Sequence, residues 1–495
     1  MKRILMTFLC GAALAVANSA EALQISLSAP VRIGGDNVPG VDCALIDESG
    51  PHMAVNPWNP YHLAVVYSLG DMANPTPDSA DPTGWRFIQS TAQIVSHSYD
   101  GGRTWSRAAL PGQTLCTGGE DGTEGKNGTV GDPFIAMNSC GKIVATGGWV
   151  SWEPLPSATH SDLRLFVSNS TDNGRTFSAP IEPERTINPQ GNQRAPVVFD
   201  RENPNRVWVM WERLHSLNNG PLNQKIGNYI FGLGGSIGIA RSNDGGATFP
   251  LPLTAYAVLP PKEVLTIGLL HPGPGFVLIV SEVSDTAYLQ GPLGGTQLNQ
   301  FIDVAQHLKA VQWSDGQLVP ALNGADIGTV EDGGANGIPY AAAAPNGTLY
   351  VTWSDGTKGI FVARSIDGGV TWTGGDHPAI VPAGRAFQPA IAARCDGSVG
   401  IFYYQYAAGS NSIVTPYIAV SSNGLTNWTA TPIAQPFDFN KLSGGSNDGV
   451  FKGPGAYQDI VALPDGFGIS VTLGNQLNIP AGQEQIFYIK ARVRR

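Results

Sequence analysis

The sequence predicts an all-β propeller of seven blades, with six as the runner-up. Three observations carry this: an eight-residue turn motif recurs along the chain, a two-strand apolar hairpin alternates with it, and no segment combines helical periodicity with caps. The motif reads Ser-x-Asp-x-Gly-x-Thr-Trp/Phe. It begins at Ser98, Ser170, Ser242 and Ser365, and a worn fifth copy keeps Ser421, Asn423 and Trp428 but has Leu425 where glycine belongs. In such a box the Asp side chain accepts hydrogen bonds from the turn's own amides, the glycine supplies a backbone angle other residues resist, and the aromatic covers the turn. Its acids therefore read as architecture and not as catalysts.

The alternating hairpins pair segments 51–55 with 62–67, 132–136 with 142–145, 195–199 with 206–211, and 339–342 with 348–353. Two more begin at Gln388 and Tyr457. Their richness in Val, Ile and aromatics, bounded by Gly, Pro and Asn, marks strands. Two hairpins per repeat make a four-stranded sheet, and sheets repeated radially make a propeller. The interval from Ser242 to Ser365 is nearly double the two before it, so it holds a blade that has lost its box. Its strands are expected over 266–270, 276–280 and around 301–313; if this region is an insertion, the count falls to six. The last blade shows only three strands after Gly455. Segment 23–27 is expected to supply the fourth, closing the ring and leaving no long free edge.

Met1, Lys2 and Arg3 precede an apolar stretch over 4–17 and small residues near a cleavage point after Ala20 or Ala22. That is the pattern of a signal peptide, so residues 1–22 are assigned to a leader and 23–495 to the propeller, secreted or periplasmic and monomeric. Cys10 follows Leu9, whereas a lipoprotein signal wants a small residue there. The longest later apolar run, 264–280, is broken by His271, Pro272 and Pro274, so no membrane span is expected. The formal net charge is −10 and grows more negative once Lys2 and Arg3 are removed, which argues against nucleic acid as a partner. Cys43, Cys116, Cys140 and Cys395 permit two disulfides in any of three connectivities, and their spacing fits no zinc pattern.

Boxes belong to the turn between the third and fourth strands of a blade. The loops leading into each inner strand lie at the opposite end and converge on the central funnel, where a concave site is expected. Those loops bring Asp132 before blade two, Arg194 before blade three, Glu331 and Asp332 before blade five, Arg385 and Gln388 before blade six, and Tyr457 before the last. No cofactor is expected. Calcium is the one metal considered, because the Asp-rich loops offer carboxylates and carbonyls, although none has EF-hand spacing.

With its four boxes and their spacing, the chain resembles the sialidase superfamily, the BNR or Asp-box proteins, over nearly the whole mature sequence. The box is specific for the fold and not for activity, since lectins, sorting receptors, glycosidases and lyases share it. The resemblance implies a clamp of three arginines for a sugar carboxylate, a Tyr–Glu pair as nucleophile and an Asp as acid/base. A tyrosine nucleophile is an exception to the usual two-carboxylate scheme. Gly455-Ala456-Tyr457-Gln458-Asp459-Ile460 matches the late tyrosine segment and makes Tyr457 the implied nucleophile. The family's Arg-Ile-Pro signature belongs at the first inner strand, which here reads Gly50-Pro51-His52-Met53; Val31-Arg32-Ile33-Gly34 lacks the proline and comes too early. The nearest analogue is Arg194-Ala195-Pro196 in blade three, Arg385 is a second clamp candidate, and a third is not evident. Gln388 and His52 complete the expected substrate contacts, and the catalytic carboxylates come from Asp132, Glu331 and Asp332. The expected function is that of an exported exo-glycosidase-type hydrolase acting on a carbohydrate or glycoconjugate, with a polysaccharide lyase in the same enzyme class. The alternatives are a non-catalytic glycan- or protein-binding propeller and a structural or assembly factor of the cell envelope.

Overall fold

A computed structural model describes residues 23–494 except 36, 44, 46, 71–90, 120–127, 153–160, 185–189, 216–234, 251, 259–262, 274, 284–305, 314–324, 331–337, 357, 423–424, 443–456 and 475–483. The strands form seven separate antiparallel sheets. The first blade runs Asp47–Val55, Leu63–Gly70, Thr91–Ser98 and Ser106–Ala109 outward from the axis. The second has Gly128–Met137, Ile143–Trp152 and Ser161–Ser170, with an isolated bridge between Val167 and Ile181 beyond its third strand. In the third, Gln190–Gln193 and Val197–Phe199 share the inner position before Val207–His215, Gly235–Ser242 and Leu253–Val258. The box-less fourth blade is a complete sheet of Glu263–Gly273, Gly275–Val283, Gln306–Trp313 and Ala325–Val330. Tyr340–Ala343 opens the fifth blade and Ala386–Ala393 the sixth. The seventh joins Asp459–Leu463, Gly466–Gly474 and Glu484–Arg494 to the N-terminal Gln24–Leu27, which pairs antiparallel with the last of these from Gln24 opposite Arg494 to Leu27 opposite Ala491.

Inner strands of successive blades are neighbours, and Asp459–Leu463 returns to Asp47–Val55, so the sheets close a ring. Apolar side chains fill the seams between blades. Phe402 and Tyr404 of the sixth blade pack with Phe467 and Ile469 of the seventh, all at no residual exposure. Each such side chain contributes about 1.5–3 kcal/mol relative to an exposed one. Every residue of Gly466–Gly474 is buried, as expected for a strand covered on both faces.

The four complete boxes share one network. In the first, the Ser98 hydroxyl donates to Asp100 Oδ1 (2.8 Å), the Arg103 and Thr104 amides donate to the same oxygen (2.9 and 3.0 Å), and the Thr104 hydroxyl donates to Oδ2 (2.7 Å). Asp172, Asp244 and Asp367 repeat it. At Asp367 the Thr371 hydroxyl and amide and the Ser365 hydroxyl hold the carboxyl down to about 2. In the worn copy the Ser421 hydroxyl donates to the Thr426 carbonyl instead (2.7 Å), and Leu425 takes φ 95°.

Cys43 and Cys116 form a disulfide, whereas Cys140 and Cys395 are exposed and unbridged, so the chain has one bridge among the described residues where two were allowed. Cys140 and Cys395 sit on the inner hairpins of the second and sixth blades, which are not ring neighbours. No helix of the described residues is long and apolar enough to cross a membrane. The leader at 1–22 and the loop holding Glu331 and Asp332 lie outside the described residues.

Candidate active site

The inner strands share an irregularity that aims side chains at the axis. In the first blade Ser49 pairs Ser68 but His52 pairs Val66, so three steps on one strand face two on the other. The same extra residue occurs between Gly131 and Phe134, and between Phe387 and Ala390. In the third blade Gln193 pairs Glu212, and the Met210 amide donates to the Pro196 carbonyl (3.0 Å), giving the same step. Such bulges bend a strand and re-aim its side chains, and they concentrate beside active sites. The residue just inside each bulge is Gly50, Asp132, Arg194 or Gln388, with φ of 63°, 47°, 46° and 50°. Only six described non-glycine residues have positive φ, and Asp132, Arg194 and Gln388 are three of them; the others, Asn173, Leu425 and Asn427, belong to box turns. A non-glycine residue held there costs about 1–3 kcal/mol, and such strain clusters at functional sites. Tyr457 occupies the matching place in the seventh blade, two residues before the first paired residue Asp459.

One layer further in, the first residues paired after the entrance meet across the channel. These are His52, Phe134, Tyr340 and Asp459, from the first, second, fifth and seventh blades. The His52 ring lies 4.4 Å from Phe134, 5.0 Å from Tyr457 and 5.6 Å, stacked, from Tyr340 (centroid separations). The Tyr340 hydroxyl is 2.8 Å from His52 Nδ1 and 3.2 Å from Nε2. Asp459 Oδ2 lies 3.3 Å from His52 Nδ1 and also accepts the Met53 amide (2.8 Å), which fixes the carboxylate to the first blade.

Tyr457 is 4% exposed, and its hydroxyl is buried without a hydrogen-bond partner of standard geometry. Burial raises this phenol well above its ordinary pKa, the Asp132 and Glu212 carboxylates add to the rise, and the Arg194 charge opposes it. The ring belongs to none of the apolar seams between blades and lies at the axis, against His52 and Phe134. Arg194 Nη1 stands 3.6 Å from Glu212 Oε1, and Glu212 is fully buried. The alternation of a strand explains why Glu212 faces inward. Trp211 and Arg213, on the other face, both hydrogen-bond Glu184 (2.9, 2.7 and 2.8 Å).

The structure thus gathers Tyr457, Asp132, Arg194 and His52 from the sequence-derived set. Gln388 stands at the equivalent bulge, buried, on the sixth blade. Arg385 lies beside Tyr406 of its own blade, and the arginine seen to act on Tyr457 is Arg194. Sequence reasoning missed Glu212, Tyr340, Phe134 and Asp459 as members of the group. A usable signal was present for two of them: Tyr340 and Phe134 each follow the proline that opens an inner strand, as His52 follows Pro51. Among the described residues no three His, Cys, Asp or Glu side chains are placed to hold a metal ion.

No family model and no curated protein matches this chain. Solved structures similar to it include a protein of unknown function from Dyadobacter fermentans, 12% identical with a TM-score of 0.48, the match covering 95% of this chain and 99% of that one. A Hadza microbial sialidase is 15% identical over 94% of this chain and 95% of its own, with a TM-score of 0.43. An ulvan lyase, described as a new family of polysaccharide lyase and bound to a glucuronate–sulfated rhamnose unit, is 11% identical over 92% and 97%, with a TM-score of 0.48. None of these likenesses assigns a chemistry to this chain.

Proposed function

We propose that the protein is an exported glycan-active enzyme, an exo-glycosidase-type hydrolase, with Tyr457 as its reacting hydroxyl. The observation that carries this reading is the convergence of Tyr457, Asp132, Arg194 and Glu212 on one axial site, from three blades, with Asp132 and Arg194 at strained backbone positions. A phenol at neutral pH is a poor nucleophile, so it needs a carboxylate to take its proton, and Asp132 is the first such neighbour of this hydroxyl. Arg194 supplies a planar donor for an anionic sugar, the use for which a guanidinium fork suits better than an ammonium. The buried hydroxyl sets a condition: a substrate reaches it only if the ring contacts with His52 and Phe134 give way. The Cys43–Cys116 disulfide accords with an oxidising compartment. The test is a screen of the purified protein against fluorogenic sialosides and anionic polysaccharides, with Tyr457→Phe in parallel. Turnover by the wild type that falls about 10²-fold or more in the variant is expected. Full turnover by Tyr457→Phe, or none by the wild type, would remove the assignment.

A further inference from the structure

Asp132 accounts for one proton of a glycoside cleavage, and Glu212, the other carboxylate that acts on Tyr457, is fully buried beside Arg194. Breaking the bond to the aglycone requires a proton for the departing oxygen, from a second group on another side of the site. We infer that Tyr340, backed by His52 and Asp459, is that proton donor and, in the second half of the reaction, the acceptor. This rests on the reading of Tyr457 as nucleophile.

A hydroxyl, an imidazole and a carboxylate that orients it lie within reach of one another. Tyr340 reaches both ring nitrogens of His52, at 2.8 and 3.2 Å, and Asp459 approaches Nδ1 at 3.3 Å. Asp459 is not free to wander, because its Oδ2 also accepts the Met53 amide and its Oδ1 the Ile460 amide (2.7 Å). Tyr340 is partly buried, whereas His52, Tyr457 and Asp459 are buried, so the hydroxyl-bearing end of the triad belongs to its most accessible member. Burial, then the charges of Asp459 and Tyr457, raises the Tyr340 phenol well above its ordinary pKa, which keeps it protonated at neutral pH and makes donation depend on the hydrogen bond that His52 gives the phenolate. The two phenols come from the fifth and seventh blades and touch the same imidazole ring, on which their centroids converge from 5.6 and 5.0 Å.

In the first half-reaction Tyr457 Oη bonds to the anomeric carbon, and its proton passes to the Asp132 carboxylate. The bond from that carbon to the aglycone oxygen breaks, and this oxygen takes the proton of Tyr340. The Tyr340 phenolate so formed accepts a hydrogen bond from His52, whose ring is oriented by Asp459. In the second half, water gives one proton to Tyr340 as its oxygen bonds to the anomeric carbon; the bond to Tyr457 breaks, and Tyr457 recovers its proton from Asp132. The net change is glycoside plus water to free sugar plus aglycone.

An acid catalyst matters for poor leaving groups and little for good ones, so two substrates with the same sugar decide the matter. On an alkyl or sugar aglycone, Tyr340→Phe is expected to lose about 10²-fold or more in kcat/KM, the usual span of acid–base assistance. On a fluorogenic aryl aglycone the loss should stay within about tenfold. Asp459→Asn should show the same bias at smaller amplitude, with a displaced pH–rate profile, as befits a positioning residue. Equal losses on both substrates, or no loss on either, would overturn the assignment of Tyr340. Tyr457→Phe, by contrast, should lose both substrates; if it keeps both, the underlying nucleophile reading has failed instead. Should Tyr340→Phe not fold, the wild type still answers. A shallow dependence of kcat/KM on leaving-group pKa is expected, and a steep one contradicts proton donation.

Discussion

The ring carries aspartates at both of its ends, under opposite conditions. At the box end, Asp100 takes four hydrogen bonds from residues no more than four positions away, three of them from the exposed Arg103 and Thr104. Desolvation, the largest single influence, pushes that carboxyl up, but the Thr104, Ser98 and Arg103 donors together outweigh it and bring it to about 2. At the axial end, Asp459 joins residues hundreds of positions apart, and Asp132 faces the buried phenol of Tyr457. A carboxylate saturated by its own turn has nothing left to offer a substrate. One that faces a buried hydroxyl from a strained backbone position is free of such a turn. The same residue type is therefore structural at one end and, in the proposed function, reactive at the other because of what surrounds it.

The largest expected effect breaks the axial side of this contrast. Arg194→Gln removes the cation beside the fully buried Glu212 carboxylate, and breaking a buried pair from one side costs about 3–5 kcal/mol. Because Arg194 keeps a fifth of its side chain exposed, the lower end of that range is expected. Urea unfolding would check it. A loss under about 1 kcal/mol would mean that Glu212 is held by other groups and that the axial charge pair is not coupled.

A second prediction sharpens the box end, where stability should depend on pH through a histidine and not through the box aspartates. Burial lowers the pKa of His97 to about 4, with the His62 and Arg175 charges adding to the shift and Asp172 opposing it. A folded value below the unfolded 6.5 means the unfolded chain binds more protons in that interval, so stability is lost as pH falls from about 6.5 towards 4. The box aspartates contribute only below their unfolded values, as pH falls from near 3.8 to about 2. Melting temperature should therefore decline across pH 6 to 4 in the wild type and decline less in His97→Asn. Parallel curves for the two proteins would assign the acid lability elsewhere.

The smallest effect belongs to the box itself. Asp100→Ala strips local hydrogen bonds whose donors remain open to water, so a loss of about 0.5–1.5 kcal/mol is expected, less than for buried bonds. The worn fifth copy shows that a blade survives without the carboxylate, since a carbonyl can accept the serine hydroxyl in its place.

What could be read from the sequence follows the same division. The boxes were legible because each is complete within eight residues, and their spacing gave the blades, including the fourth, which has no box. Asp132, Arg194, Gln388 and Tyr457 were legible as residues that open inner strands. Their companions were not, because contact between Tyr340 and His52 spans 288 positions and that between Met53 and Asp459 spans 406. Only ring closure brings such residues together, and no local pattern announces it. Glu212 was hidden for a further reason: on a strand flanked by Trp211 and Arg213, which face of the sheet meets the axis depends on register, and one residue of slip exchanges the two faces.

The most direct test of the contrast is kcat/KM per folded molecule, measured on one screened substrate for Tyr457→Phe beside Asp100→Ala. The account predicts that Tyr457→Phe melts like the wild type and loses about 10²-fold or more, while Asp100→Ala melts slightly earlier and turns over at the wild-type rate. An Asp100→Ala protein that is folded but inactive, next to a fully active Tyr457→Phe, would contradict it.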